Sequence, residues 1–338
     1  MLEAWTLEDG AQRAESVGER LVAWLDAATL SLDLALYDVR MPGPVGDALA
    51  EALRSAIARG VHVRIAYNDD DADPAHPDER PFEPPPPSTQ PHLLEQLGAE
   101  LKGIPGWRDL MHHKFVVRDG KAVWTGSTNW TLDSWTRQEN VLCTVDDVVV
   151  AHAYDRVFHE LWGKGQIGSS GSFDTPGPVR PWFCPGRGPE LSHRIAKRIG
   201  AARRRVRIAS PLLTSGPILA AVNECEIDMA GVCDLTQVRQ VFRQWDANPA
   251  SAWKSPLLRQ AMLRFTGKDS TPYAPGSLHD FMHAKVTVAD DVVFLGSFNL
   301  SRSGEMNAEN VLEIADAALA DRLAAWIDSL RGRYTKTL

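Results

Sequence analysis

Two short stretches of the chain carry a histidine two residues ahead of a lysine: Asp109-Leu110-Met111-His112-His113-Lys114, and again Asp280-Phe281-Met282-His283-Ala284-Lys285. In a strand, residues two apart project to one face, so His112 shares a face with Lys114 and His283 with Lys285, while His113 and Ala284 point away. An imidazole beside a fixed ammonium is a nucleophile or proton carrier next to a positive charge. That pairing suits a phosphate, whose non-bridging oxygens gather negative charge as a bond to phosphorus forms or breaks. Downstream of each pair stand Gly126-Ser127-Thr128-Asn129 and Gly296-Ser297-Phe298-Asn299. Ser127, Asn129, Ser297 and Asn299 are candidate phosphate-binding donors, and Gly126 and Gly296 permit close backbone approach. In-line cleavage of a phosphodiester through a covalent intermediate needs two proton-handling groups on opposite sides of phosphorus. Two copies of one imidazole-bearing unit, face to face, supply them. Glu139 and Glu309 are then candidates to accept a hydrogen bond from an imidazole and fix its tautomer.

The elements that position these residues are themselves written twice. Each copy runs from its His-x-Lys through a turn and a short apolar strand to its Gly-Ser-x-Asn. Each then continues to Glu-Asn-Val-Leu, at 139–142 and 309–312, with the same separation from the preceding Asn. Helical apolar spacing over Glu19 to Ala28 precedes a strand at Ser31 to Tyr37, and His193 to Ala202 precedes Arg205 to Ala209 in the same way. Asp146 to Trp162 and Asp316 to Leu330 read as amphipathic closing helices. The reading is therefore α/β: two pseudo-symmetric α/β sandwich domains packed around one shared site, residues 1–164 and 182–338, joined by a Gly-, Ser- and Pro-rich linker at 165–181. Two segments break the symmetry. One is the acidic, Pro-rich stretch 69–91, read as a surface loop. The other is the insertion 235–276, with a helix over Gln237 to Trp245 and the aromatics Trp245, Trp253, Phe265 and Tyr273.

At these residues the chain resembles the phospholipase D superfamily, whose signature is HxKxxxxD followed by GSxN, twice. His112, Lys114 and Asp119 with Gly126, Ser127 and Asn129 fit the first copy; His283, Lys285 and Asp290 with Gly296, Ser297 and Asn299 fit the second. The second copy is one residue shorter between Asp290 and Gly296 than the first between Asp119 and Gly126. The resemblance implies a phosphohistidine intermediate, no metal or other cofactor, and a phospholipid, nucleic-acid or other phosphodiester substrate. It also orders the histidines, with His112 as nucleophile and His283 as general acid and then base. Asp119 and Asp290 fall where turns are due and read as structural.

Composition narrows the partners. A formal charge of −8 lowers the odds of a polyanion binder, which relies on Lys and Arg to neutralise phosphates. Nothing has the unbroken apolar length of a membrane span, and Met1 to Trp5 lacks the layout of a secretion signal, so the expectation is a cytoplasmic enzyme touching a membrane surface at most transiently. Cys143, Cys184, Cys225 and Cys233 have no C-x-x-C spacing and read as free thiols. No second copy of the chain is needed to complete the site. A zinc site built from His112, His113, His279 and His283 is disfavoured by the two lysines, whose charge opposes the cation. Asp69-Asp70-Asp71 with Asp73 lacks the Gly and terminal Glu of a calcium-binding EF-hand. Arg203-Arg204-Arg205 reads as complementing a helix dipole rather than gripping phosphate. Three functions remain: a phospholipid hydrolase or phosphatidyl transferase, favoured by the acidic balance and by aromatics that could hold acyl chains; a metal-independent nuclease; and a non-catalytic binding protein.

Overall fold

Val17, Leu21 and Leu25 recur at helical spacing and bury one face of the helix Ala14–Asp26. The same logic forms the other long helices, and all of them pack on two sheets. The structure, a computed structural model, describes residues 1–69, 94–106, 109–169, 171, 176–272 and 277–338. The first half contributes β1 (Leu2–Leu7), β2 (Ser31–Leu36), β3 (Val39–Arg40), β4 (His62–Asp69), β5 (Glu100–Pro105), β6 (Lys114–Arg118), β7 (Ala122–Gly126), β8 (Trp130–Thr131) and β9 (Asn140–Asp146). The second contributes β10 (Val179–Cys184), β11 (Arg205–Ala209), β12 (Asp228–Asp234), β13 (Phe265–Lys268), β14 (Val286–Ala289), β15 (Val292–Gly296) and β16 (Glu309–Ala315). The sheet orders match strand for strand: β1-β9-β7-β6-β2-β4-β5 and β10-β16-β15-β14-β11-β12-β13.

Strand alternation sorts side chains between an outer and a shared core. Leu32, Leu34 and Leu36 of β2 face outward onto the helices Ala14–Asp26 and Gly43–Ala58. On the opposite faces, Ala35, Phe115 and Val117 join Ala209, Val286 and Val288 in one core that spans both halves, together with the buried faces of the helices Val148–Lys164 and Ala317–Arg333. That shared core fixes one half against the other.

The pairing reveals elements that periodicity did not. Residues 2–7 form β1, antiparallel to β9, and the end of the Gly-, Ser- and Pro-rich stretch is already strand, because β10 begins at Val179 and pairs with β16. Two short apolar runs beside turn residues gave no local cue to either. The expected insertion 235–276 also ends inside the repeat: after the helices Leu235–Ala247 and Ser255–Met262 comes β13, the counterpart of β5. The asymmetric segments therefore occupy one topological position, between the last two parallel strands of each sheet. Residues 70–91 of the expected acidic loop, with Asp70, Asp71 and Asp73, lie outside the described residues, as does Tyr273.

Candidate active site

Each His-x-Lys is anchored by its own half and stitched to the other. The Asn68 side chain accepts the Met111 N–H at 2.9 Å, and the Asp234 carboxylate accepts the Met282 N–H at 3.0 Å. Across the joint, the Ala308 N–H donates to the Leu110 carbonyl at 2.8 Å and the His283 N–H to the Glu139 carbonyl at 3.1 Å. The regular strands start only at Lys114 and Val286, so both histidines lie in extended chain just ahead of them. Alternation still holds: His113 turns into the shared core against Phe115 and Phe183. Lys114 Nζ donates to the His112 carbonyl at 3.0 Å, and Lys285 Nζ to the His283 carbonyl at 2.6 Å. Lys114 Nζ also sits 4.8 Å from the centre of the Tyr37 ring, whose own ring packs edgewise on His112 at 4.6 Å.

The electrostatics join these groups into one site. Burial, then Lys114 and Lys285, hold His112 well below the usual imidazole range; burial, then Lys285, Lys114 and His112, do the same to His283. Burial lowers Lys114 to about 7 and pushes Lys285 well down, the latter helped by Lys114. The two lysines, one from each half, thus disfavour charge on both imidazoles, and Lys114 disfavours it on Lys285. An anionic phosphate among them would reverse the sign of the problem, holding both lysines cationic.

The two imidazoles have different partners, which corrects one expectation. His112 Nδ1 lies 2.9 and 2.8 Å from the two carboxylate oxygens of Glu309, so the second half orients the first half's histidine. Burial raises that carboxyl to about 7. Glu139 does not do the same for His283. His283 Nδ1 lies 3.0 Å from Asn140 Oδ1, and Asn140 Nδ2 donates to the Ser134 carbonyl at 3.0 Å, which fixes the amide's orientation. The cause is register. Gly126 pairs with Leu142, whereas Gly296 pairs with Val311, so the strand counterpart of Glu309 is Asn140 and that of Glu139 is Ala308. The first half has one extra residue between its short helix Leu132–Thr136 and β9 than the second has between Arg302–Met306 and β16. The identical Glu-Asn-Val-Leu letters hid that shift. Either partner makes Nδ1 the donor and leaves Nε2 for chemistry.

The serines are corrected too. Ser127 and Ser297 are wholly buried and serve the histidine partners rather than a phosphate: Ser127 donates to Asn140 Oδ1 at 2.7 Å, and the Ser297 hydroxyl donates to Glu309. Each also accepts a strand N–H, from Val141 and Asn310 respectively. Asn129 and Asn299 are half-buried, less enclosed than the two serines.

Asp119 and Asp290 each hold a turn. Both sit at positive φ, 55° and 52°, and their carboxylates gather the N–H groups of Thr29, Leu30 and Ser31, and of Arg203, Arg204 and Arg205. The shorter turn after Asp290 leaves that role intact. At Gly126 and Gly296 a Cβ would lie 2.2 and 2.1 Å from the carbonyl oxygens of Val141 and Asn310, so no larger residue fits. Arg204 and Arg205 pair with Asp291 and Asp321, just beyond the end of the helix Gly188–Ala201. His113 meets the Asn310 amide and His279 lies 3.8 Å from Asp133, so these imidazoles face different partners from the catalytic candidates. In the insertion, Phe265 is core, Trp245 packs partly buried on that core, and Trp253 is exposed beside Lys254. Phe265 is thus unavailable to hold an acyl chain.

Each half of the chain also has counterparts among known proteins. A family profile described as "Cardiolipin synthase, PLD-like domain" matches residues 21–162 and again 195–331, one match per half. A mitochondrial cardiolipin hydrolase of Xenopus laevis is 34% identical over 149 residues, which are 44% of this chain and 62% of that protein. The human mitochondrial cardiolipin hydrolase is 33% identical over 156 residues, 45% of this chain and 54% of that one. The chain thus spans little more than half the length of the curated relatives it matches. Among solved structures, a phosphatidylserine synthase of Haemophilus influenzae superposes with a TM-score of 0.65 at 14% identity, over 100% of this chain and 87% of that one, a likeness of fold. With both halves matched and both His-x-Lys pairs gathered into one buried cluster, the chain belongs to the phospholipase D superfamily.

Proposed function

We propose that the protein is a phosphodiesterase of the phospholipase D type that cleaves phospholipids through a phosphohistidine on His112. The observation that carries this reading is the unlike pair of imidazole partners, a carboxylate on His112 and an amide on His283. A histidine whose Nδ1–H donates to a carboxylate is the better nucleophile, because the positive charge it acquires on bonding to phosphorus is neutralised. A histidine on a neutral amide keeps its tautomer without that support and gives up a proton more readily, as a general acid must.

The steps follow from these roles. Nε2 of His112 bonds to phosphorus while the bond to the leaving oxygen breaks, and His283 supplies that oxygen with a proton from Nε2. Water or an alcohol then gives its proton to His283 as its oxygen bonds to phosphorus and the phosphorus–nitrogen bond breaks. Lys114 and Lys285 hold the non-bridging oxygens, with Asn129 and Asn299 as neutral donors. The names of the cardiolipin hydrolases support a phospholipid substrate. A human 5'-3' exonuclease, PLD4, 23% identical over 46% of this chain, keeps nucleic acid as the second reading.

The test is incubation of the purified protein in chelator with labelled cardiolipin or phosphatidylcholine plus ethanol, and separately with single-stranded DNA. Phosphatidic acid or phosphatidylethanol is the expected product. Shortened DNA with intact lipid would move the assignment to a nuclease, and activity lost in chelator but restored by a divalent metal would overturn the role given to the lysines.

A further inference from the structure

Behind His283 lies a buried charge cluster that the phosphate site does not contain. Lys268, at the end of β13 and 4% exposed, reaches from the second half into the first. Its Nζ donates to the carbonyl of Arg137 at 3.0 Å, to both oxygens of Glu139 at 3.2 and 3.1 Å, and pairs with Asp9 at 3.1 Å. The hydroxyl of Tyr334 also donates to Glu139, as does the backbone N–H of Asp9 at 3.3 Å. Glu139 is wholly buried, so its carboxylate depends on these partners.

Two routes lead from this cluster to His283. The Glu139 carbonyl accepts the His283 N–H, and the next residue, Asn140, accepts Nδ1–H. Lys268 also pairs in register with Asp234, whose carboxylate holds the Met282 N–H. Among the described residues, the strand positions on the His112 side that match Lys268 and Glu139 carry no such pair. By the strand pairing, Ile104 occupies the place of Lys268 and Ala308 that of Glu139, both buried and apolar.

We infer that Lys268 is a positioning residue for His283 alone: by clamping Glu139 across the joint it sets the chain that carries Asn140, and so the aim of the proton-transferring imidazole. The inference rests on the phosphohistidine reading above. It separates the two chemical steps, because with a good leaving group the attack by His112 needs little help from His283, whereas release of the phosphohistidine needs His283 as base.

Wild type, Lys268→Met and Lys268→Arg are to be compared with a nitrophenyl phosphodiester, following nitrophenol release in the first turnover, steady-state rate and phosphohistidine by mass spectrometry. Lys268→Met is expected to form phosphohistidine within about twofold of the wild-type rate but to break it down at least about tenfold more slowly, so that the adduct on His112 accumulates. Lys268→Arg should restore much of the breakdown rate. Tyr334→Phe, which deletes one hydroxyl from the same carboxylate, should shift the balance in the same direction by a smaller factor, and serves should Lys268→Met fail to fold. Equal slowing of both steps, or lost thermal stability with the step ratio unchanged in every variant, would overturn the role in positioning. Absence of phosphohistidine in the wild type would overturn the covalent reading itself.

Discussion

The two halves share a sheet order and a motif, yet the surroundings of His112 and His283 differ in where one carboxylate stands. On the His112 side the carboxylate of Glu309 faces the imidazole, with Ala308 next to it in sequence. On the His283 side the facing group is the Asn140 amide, and the carboxylate has moved back one residue to Glu139, where Lys268 neutralises it. A single extra residue before β9 makes the difference. The comparison teaches that a repeat can keep its frame and still give its two histidines unlike partners, since a shift of one strand position exchanges which side chain meets the imidazole.

The comparison breaks most sharply at the histidines. His112→Ala should lower turnover by about 10⁴-fold or more and abolish the covalent adduct. His283→Ala should be nearly as damaging with a lipid substrate, but with a nitrophenyl phosphodiester it should still form the adduct at His112. A phosphoryl group found on His283 and none on His112 in the wild type would reverse the division of labour. The lysines are expected to be alike, as their matching bonds to the preceding histidine carbonyls suggest. Lys114→Ala and Lys285→Ala should each cost about a hundredfold in rate with the fold preserved. Since Lys114 is held to about 7 in the unliganded site, binding of sulfate should require its protonation. Sulfate affinity measured by calorimetry should therefore fall as pH rises above about 7, by up to about tenfold per pH unit. A flat profile from pH 7 to 9 would show that Lys114 does not meet the anion.

Much of this was legible in the sequence. The double His-x-Lys, the turns and the closing helices fixed two facing α/β halves, and Asp119 and Asp290 could be read as turn caps because an Asp at a tight turn has few other uses. What stayed hidden depends on pairing. The hydroxyls of Ser127 and Ser297 look like free donors until the strands β9 and β16 close over them. Asn140 was masked by the Glu beside it, since two identical four-letter strings gave no hint of an offset. Lys268 has no motif at all; only the sheet edge brings it to residues 129 to 131 positions away in sequence. Its one sequence signal is a lysine closing a short strand in an otherwise unmatched segment.

A smaller effect separates the two glutamates. Glu309→Gln keeps an acceptor for His112 but removes the charge that would balance the proposed phosphohistidine, a charge-assisted bond of about 1.5–3 kcal/mol, so kcat/KM should fall roughly ten- to a hundredfold. Glu139→Gln leaves both imidazole partners in place and should slow turnover by less than about tenfold, chiefly in breakdown of the adduct. Should Glu139→Gln prove the more damaging, the shift of the carboxylate would not separate the functions as argued.

The smallest effect on chemistry belongs to the aspartates, where the halves should be indistinguishable. Asp119 and Asp290 hold backbone N–H groups at turns; burial opposes their charge, but those hydrogen bonds bring each carboxyl below its ordinary range. A carboxyl whose folded pKa is depressed stabilises the fold above its ordinary value near 4 and loses that contribution as pH falls through the lower, folded value. Asp119→Ala and Asp290→Ala remove the acceptor and place a Cβ-bearing residue without a compensating bond at positive φ. Each should therefore destabilise the protein by about 1–2 kcal/mol at pH 7. At acid pH the gap to wild type should narrow, because the wild-type carboxylates are then protonated and hold the loops less well. Chemical denaturation at pH 7 and at pH 3 measures both quantities, and kcat at 25 °C should stay within about twofold of wild type. A large loss of kcat confined to one of the pair would mean that this aspartate, unlike its twin, reaches the phosphate site, and the symmetry of the turns would then end where that of the histidines already has.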